Sequence, residues 1–187
     1  HKNVAYLVET FQYGSKGFKQ LDGGGNTGFN KQDYLAKFRI NTKEDAKVYQ
    51  SLTFKIGQTL ETSNETYLGL TQEDFDSNPY RRYSASQNDQ INTEQSQFSL
   101  THVAKFTKVF DITTTAYRSD FTRNWYKVDK VMDSTGVKTS ISDLLENPTA
   151  YNDAYDILTG GTSTNANALF VRANNRSYYA QGIQTVL

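Results

Sequence analysis

From Gln32 to Asn41 the even positions read Gln32, Tyr34, Ala36, Phe38 and Ile40, and the odd ones Asp33, Leu35, Lys37, Arg39 and Asn41. That is a period of two, which places apolar side chains on one face of an extended strand and charged ones on the other; a helix of 3.6 residues per turn cannot do this. Six residues of turn type follow, Asn41 to Ala46, and the alternation restarts with Val48, Leu52, Phe54 and Ile56 opposite Lys47, Ser51, Thr53 and Lys55. The two runs read as a hairpin. A second hairpin runs from Gln95 to about Lys127. Its first strand sets Phe98, Leu100, Ala104 and Phe106 against Gln97, Ser99, Thr101 and Lys105. Its second sets Thr115, Tyr117, Phe121 and Trp125 against Thr114, Arg118, Asp120 and Asn124, with only Lys108 to Asp111 between the two.

Strand-rich runs at Asn3 to Tyr13, whose faces the pattern leaves open, and at Tyr178 to Leu187 bring the expected number of strands to six. The connections joining them in order are long (Gly14 to Asn30), short, long (Glu61 to Glu94), short and very long (Val128 to Arg176). In an antiparallel meander successive connections leave opposite ends of the strands, so this ordering puts every bulky loop at one end. Bacterial outer-membrane barrels have that asymmetry, and their tilted strands of roughly 9 to 11 residues exceed the globular average of about five or six. The expected fold is therefore all-β: an antiparallel meander of about six long strands belonging to a transmembrane β-barrel. Tyr34, Phe38, Leu52, Phe54, Phe98, Leu100 and Phe106 are expected outside, and Asp33, Lys37, Arg39, Lys55 and Lys105 inside. Phe38, Phe54, Phe106, Tyr117 and Trp125 are expected to form an aromatic girdle.

Short helices are expected in the long loops. Thr71-Gln72-Glu73-Asp74 makes a weak capping box that Asn78-Pro79 closes, while Ser140 to Glu146 and Thr149 to Leu158 carry helical spacing that Gly160-Gly161 ends.

Composition narrows the function. Lys+Arg 20 balance Asp+Glu 20, which removes the electrostatic case for nucleic-acid binding. A mean hydropathy of -0.69 excludes a bundle of membrane helices but not a barrel, whose strands alternate. With Cys 0 there are no disulfides or thiol nucleophiles, and no Ser lies in a Gly-x-Ser-x-Gly setting, so no enzyme is expected. His102 shares a face with Phe98 and Leu100, and Asp143, Glu146, Asp153 and Asp156 read as a solvated helix face, so no metal or cofactor is expected. The chain opens at His1 without a signal-type segment and stops at Leu187 inside a strand-like run, so it reads as an excerpt.

Two segments are more specific. Glu65-Thr66-Tyr67-Leu68-Gly69-Leu70-Thr71, continued by Asp74-Phe75 and Asn78-Pro79-Tyr80-Arg81-Arg82-Tyr83, resembles an external-loop segment of TonB-dependent outer-membrane receptors of the ferric-citrate and siderophore type. Arg172-Ala173-Asn174-Asn175-Arg176 with Tyr178-Tyr179 and Gln181-Gly182 is similar to the same family, and Gly14-Ser15-Lys16-Gly17-Phe18 and Arg123-Asn124-Trp125-Tyr126-Lys127 resemble its Bacteroidetes-like members. The resemblance implies a barrel of about 22 strands around a plug, importing a ferric chelate or similar nutrient with energy delivered by the TonB complex. Residues 1–187 would then be part of the barrel domain, without the plug or the remaining strands, placed in the bacterial outer membrane with lipid as a partner.

Within that frame Arg81 and Arg82, beside Tyr83, are candidate substrate contacts, because guanidinium forks hold carboxylates in bidentate fashion. The alternative left open is that they pair with Glu73, Asp74 or Asp76 and fix the loop. Gln87 and Asn88 lie just beyond, and Arg172 and Arg176 are the remaining candidates. A diffusive porin and a soluble all-β adhesion or carbohydrate-binding module are the competing functions.

Overall fold

A computed structural model describes residues 3–187, so His1 lies outside the described residues. In chain order the elements are β1 (Val4–Ser15), β2 (Gln20–Leu21), β3 (Phe29–Asn41), β4 (Tyr49–Ser63), α1 (Gln72–Ser77), β5 (Arg81–Arg82), a 3-10 turn (Ser84–Ser86), β6 (Gln90–Lys105), β7 (Asp111–Met132), β8 (Lys138–Ser140), α2 (Ile141–Glu146), α3 (Asn152–Thr159) and β9 (Leu169–Val186). The six long strands, β1, β3, β4, β6, β7 and β9, form one antiparallel sheet in that order. β8 adds to the far end of β7, and β2 and β5 make a separate parallel pair. The sheet is open, with β1 and β9 at its edges.

The period-two pattern is realised across the whole sheet. Tyr6, Phe38, Phe54, Leu100, Ala116 and Ile183 stand in one cross-strand row, and Val8, Ala36, Ile56 and Phe98 fall on the same face. The row Leu7, Lys37, Lys55, Ser99, Tyr117 and Gly182 lies on the other. Among the described residues no layer covers the apolar face: Tyr6 is 82% and Ile183 77% exposed, and Phe38, Phe54 and Leu100 are close to half exposed. A soluble sandwich would bury that row at about 25 cal/mol per Å² of apolar area.

Two girdle members fall on the opposite face. Tyr117 pairs with Ser99 and Trp125 with Ile91, both on the side of Lys37 and Lys55 rather than that of Phe38 and Phe54. The reason is local packing. Gly182, directly across from Tyr117, leaves room for its ring, since a Cβ there would stand 2.9 Å from the phenol oxygen. Trp125 is met edge-on by Tyr67 from a loop, with ring centres 6.0 Å apart. Phe106, just past the end of β6, stacks instead on Phe110 of the same short turn.

The loop helices start and stop where capping chemistry predicts. Thr71 and Ser140 accept hydrogen bonds from the backbone N–H groups of Asp74 and Asp143, and Gly160 ends α3 with a left-handed φ of 114°.

Candidate functional site

The three long connections, 16–28, 64–89 and 133–168, leave the same end of the strands, while the short turns 42–48 and 106–110 lie at the other end. The long ones fuse into a single cap. Gln20 and Leu21 pair with Arg81 and Arg82, joining the first connection to the second. Tyr83, Ala85, Val131, Leu144, Ala154, Ile157, Leu158 and Ala168 then make a small core between the second, the third and the end of β7. Burial is concentrated there, because the sheet itself lacks a second layer.

Asp74 is the polar centre of this cap. Its carboxylate accepts hydrogen bonds from the phenols of Tyr83, at 2.6 Å, and of Tyr155, and pairs with Arg81 at 2.6 Å. Arg81 also grips Asp22, with Nε to Oδ2 at 3.0 Å, and its guanidinium lies over the Tyr83 ring at 5.1 Å. Burial works to raise the Asp74 pKa, but the two phenols and the Arg81 charge outweigh it and hold the carboxyl below its ordinary value. The same burial, with hydrogen bonding to Asp74, pushes the Tyr83 phenol well up.

Arg82 is only 4% exposed. Its Nε donates to Ser86 Oγ at 2.8 Å, its Nη2 to the Ser86 carbonyl at 2.6 Å, and its Nη1 to the Asn64 carbonyl. Burial lowers its pKa. Nearby, Asp89 is 2% exposed and accepts from the Thr66 hydroxyl at 2.7 Å and the Val128 N–H at 2.9 Å, which ties the cap to β7. Burial pushes its pKa up despite those bonds.

The candidates therefore separate. Arg81, Arg82 and Tyr83 meet in the cap, where Arg81 takes the Asp74 pairing that the sequence left open and adds Asp22. Arg82 and Tyr83 are framework groups, buried and bonded within the loop. With Arg81 and Arg82, Lys19, Leu68, Leu70 and Phe75 line a cavity of about 430 Å³. Gln87 is exposed at the end of the 3-10 turn, and Asn88 beside it is exposed as well. Arg172 and Arg176 lie on β9, away from the cap centre. Arg172 pairs with Asp129 at 2.9 Å, and Arg176 donates to Asn174 Oδ1 and to the Tyr178 hydroxyl.

Arg123 completes a group that sequence reasoning did not single out. It stands directly across from Arg176, and Lys127 directly across from Arg172. Like charges in facing positions are unfavourable unless something anionic lies between them or solvent screens them. Arg123 Nε is buried and has no hydrogen-bond partner among the described residues. The Lys127 ammonium sits 3.6 Å from the Tyr67 ring centre and 4.8 Å from that of Trp125, so the cap rests on this face of the sheet. The alternation of β7 and β9 carried the signal, since Arg123 shares a strand face with Trp125, but only the register brings it to Arg176.

The chain matches no protein-family model, no curated protein sequence and no solved structure.

Proposed function

We propose that the chain is an arc of a large outer-membrane β-barrel of the TonB-dependent receptor type, serving energy-driven import of an anionic ferric chelate or a comparable small nutrient. One observation carries the reading: all three long connections leave one end of the strands of an open sheet and fuse into a cap resting on its cation-bearing face, while the opposite face exposes an apolar band. On β6 that face runs from Phe98 through Leu100 to Ala104, six residue steps at about 3.3 Å, which a tilt of 35–45° reduces to roughly 15 Å of height, a length that fits within the band of about 25 Å that outer-membrane barrels present to lipid. The remaining barrel strands would close the two edges, and TonB coupling would act through a plug in the lumen.

In this reading Arg123, Lys127, Arg172 and Arg176 face the lumen beneath the cap and attract the chelate's carboxylates. Arg81 and Gln87 meet it at the cap, and Arg82 and Tyr83 hold the cap in shape. Saturable binding of ferric citrate to the detergent-solubilised protein that carries this sequence, weakened about tenfold by Arg123→Ala with Arg176→Ala, is the expected result. Unsaturable, diffusive passage of unrelated small solutes would replace the transporter with a porin.

A further inference from the structure

The apolar face is interrupted between β6 and β7. Val8, Ala36, Ile56 and Phe98 make one apolar cross-strand row, and that row then continues into Arg118 on β7 and Gln181 on β9. Four residues nearer the short turns, Ile40 and Leu52 lead through His102 to Thr114 and Thr185, whose hydroxyls bond to each other at 3.2 Å. Depth does not explain the change. Phe98 and Arg118 are direct partners across the turn 106–110, each seven residues from its strand end at Lys105 or Asp111. At about 3.3 Å per residue and a tilt of 35–45°, both lie roughly 18 Å from that turn, inside a lipid-facing band of about 25 Å.

Arg118 is held there as one half of an ion pair. Its Nε and Nη2 donate to Asp120 Oδ2 at 2.8 Å and Oδ1 at 2.7 Å, and its guanidinium lies over the Tyr179 ring at 5.6 Å. Both charged side chains stay open to their surroundings, at 54% and 39% exposure. Hydrocarbon neither solvates nor bonds such a pair, so facing it to lipid is unfavourable. A protein surface supplies the missing contacts, and small and hydroxyl side chains such as Ala116, Thr114 and Thr185 are those that pack protein against protein inside a membrane.

We infer that the β7 and β9 wall is an interface with a second copy of this protein. The inference rests on the barrel reading, which turns this wall outward within the membrane. Two copies in one membrane are related by a two-fold axis along its normal, so each height on the wall meets itself across the axis. Two features fit that symmetry, because each stands beside its own complement. Arg118 and Asp120 share a strand face two positions apart, a height difference of about 5 Å that an arginine side chain spans, so the arginine of one copy reaches the aspartate of the other. Ala116 is the small residue between Leu100 and Ile183, and Ile183 is 77% exposed, so the isoleucine of one copy fills the space over the alanine of the other. An unrelated partner would require neither pairing.

The test uses the whole protein in detergent and in lipid nanodiscs, with its mass read by light scattering. A dimer is expected. Asp120→Arg, which sets like charges across the axis, should weaken association at least tenfold, and Arg118→Asp should do likewise. The double variant Arg118→Asp with Asp120→Arg, which keeps the two charges complementary, should restore it. Ala116→Cys should cross-link two copies through a short bis-maleimide, whereas Phe54→Cys, two strands away on the same face, should not. Heat-modifiable gel migration reports assembly, and where a charge reversal fails to assemble, the two cysteine variants decide. A monomer whose Leu52 to Ile56 face still meets lipid overturns this inference alone. So does a dimer indifferent to both reversals or cross-linked equally from Phe54→Cys, and so does cross-linking of Ala116→Cys to a different protein only. A protein that is folded and monomeric without detergent overturns the barrel reading and this inference together.

Discussion

The phenol of Tyr155 donates a hydrogen bond to the carboxylate of Asp74, 81 positions earlier in the chain. This contact binds α3 to α1, and through Arg81 and Asp22 it extends to the first long connection. Three loops that share only the strand end they leave from are thereby locked into one body.

Asp74→Asn should loosen that body selectively. An amide keeps one acceptor but loses the charge that strengthens three contacts, each worth roughly 1.5–3 kcal/mol to a charged partner. A local loss of about 2–4 kcal/mol is expected, read as faster hydrogen exchange in α1 and α3 with the long strands unchanged. Equal protection in both helices would show that the small core alone holds the cap.

Acid should have the same effect. Asp74 is held below its ordinary pKa, so its contribution is complete above the ordinary carboxylate value and is lost as pH falls through the depressed folded-state value. Asp89 has the opposite sign. Burial raises its folded-state pKa, so its contribution favours the cap at low pH and is lost as pH rises through that raised value. At pH 7, Asp89→Asn should therefore cost less cap stability than Asp74→Asn, by the same exchange measurement. The reverse order would contradict this assignment.

The two arginines should separate in the same way. Arg82→Ala leaves the Asn64 and Ser86 carbonyls without their donor inside the loop, a cost of about 2–4 kcal/mol. Arg81→Ala removes two partly exposed pairs, with Asp74 and Asp22, and should cost about 1–2 kcal/mol after allowance for solvent screening, while leaving no buried carbonyl without its donor. Limited proteolysis across residues 64–89 should cut the Arg82 variant much faster than the Arg81 variant.

The β7 to β9 register has its own probe at Gly182. A larger side chain there would meet the Tyr117 hydroxyl, so Gly182→Val should cost about 1–2 kcal/mol, and Tyr117→Ala in the same chain should recover most of it. An additive double variant would argue for a different register.

The strands were legible because one physical rule wrote them. Where a strand has one apolar and one polar face, as in β3 and β4, alternation gives both the element and its orientation. β1 defeated that rule, since Tyr6 and Val8 lie on one face and Leu7, Phe11 and Tyr13 on the other, so both faces are apolar. In β7 the aromatic positions pointed to the wrong side. Tyr117 and Trp125 answer to Gly182 and Tyr67, partners far off in sequence. Helix caps at Thr71 and Ser140 are local and were readable. The Gln20 to Arg81 pairing, the Asp22 contact, the Arg123 to Arg176 juxtaposition and the Phe98 to Arg118 pairing are products of register and loop docking, which no local pattern carries.

The central claim is that one face of this sheet meets lipid and the other water. Nitroxide labels placed singly from Leu52 to Ile56, in the protein reconstituted into vesicles, test it through collision with oxygen and with a water-soluble nickel chelate. Positions 52, 54 and 56 should favour oxygen, and 53 and 55 the nickel chelate, in strict alternation. Equal nickel accessibility on both faces, or oxygen-poor, immobilised labels at 52, 54 and 56, would contradict a lipid-facing sheet and favour a soluble fold with a missing second layer.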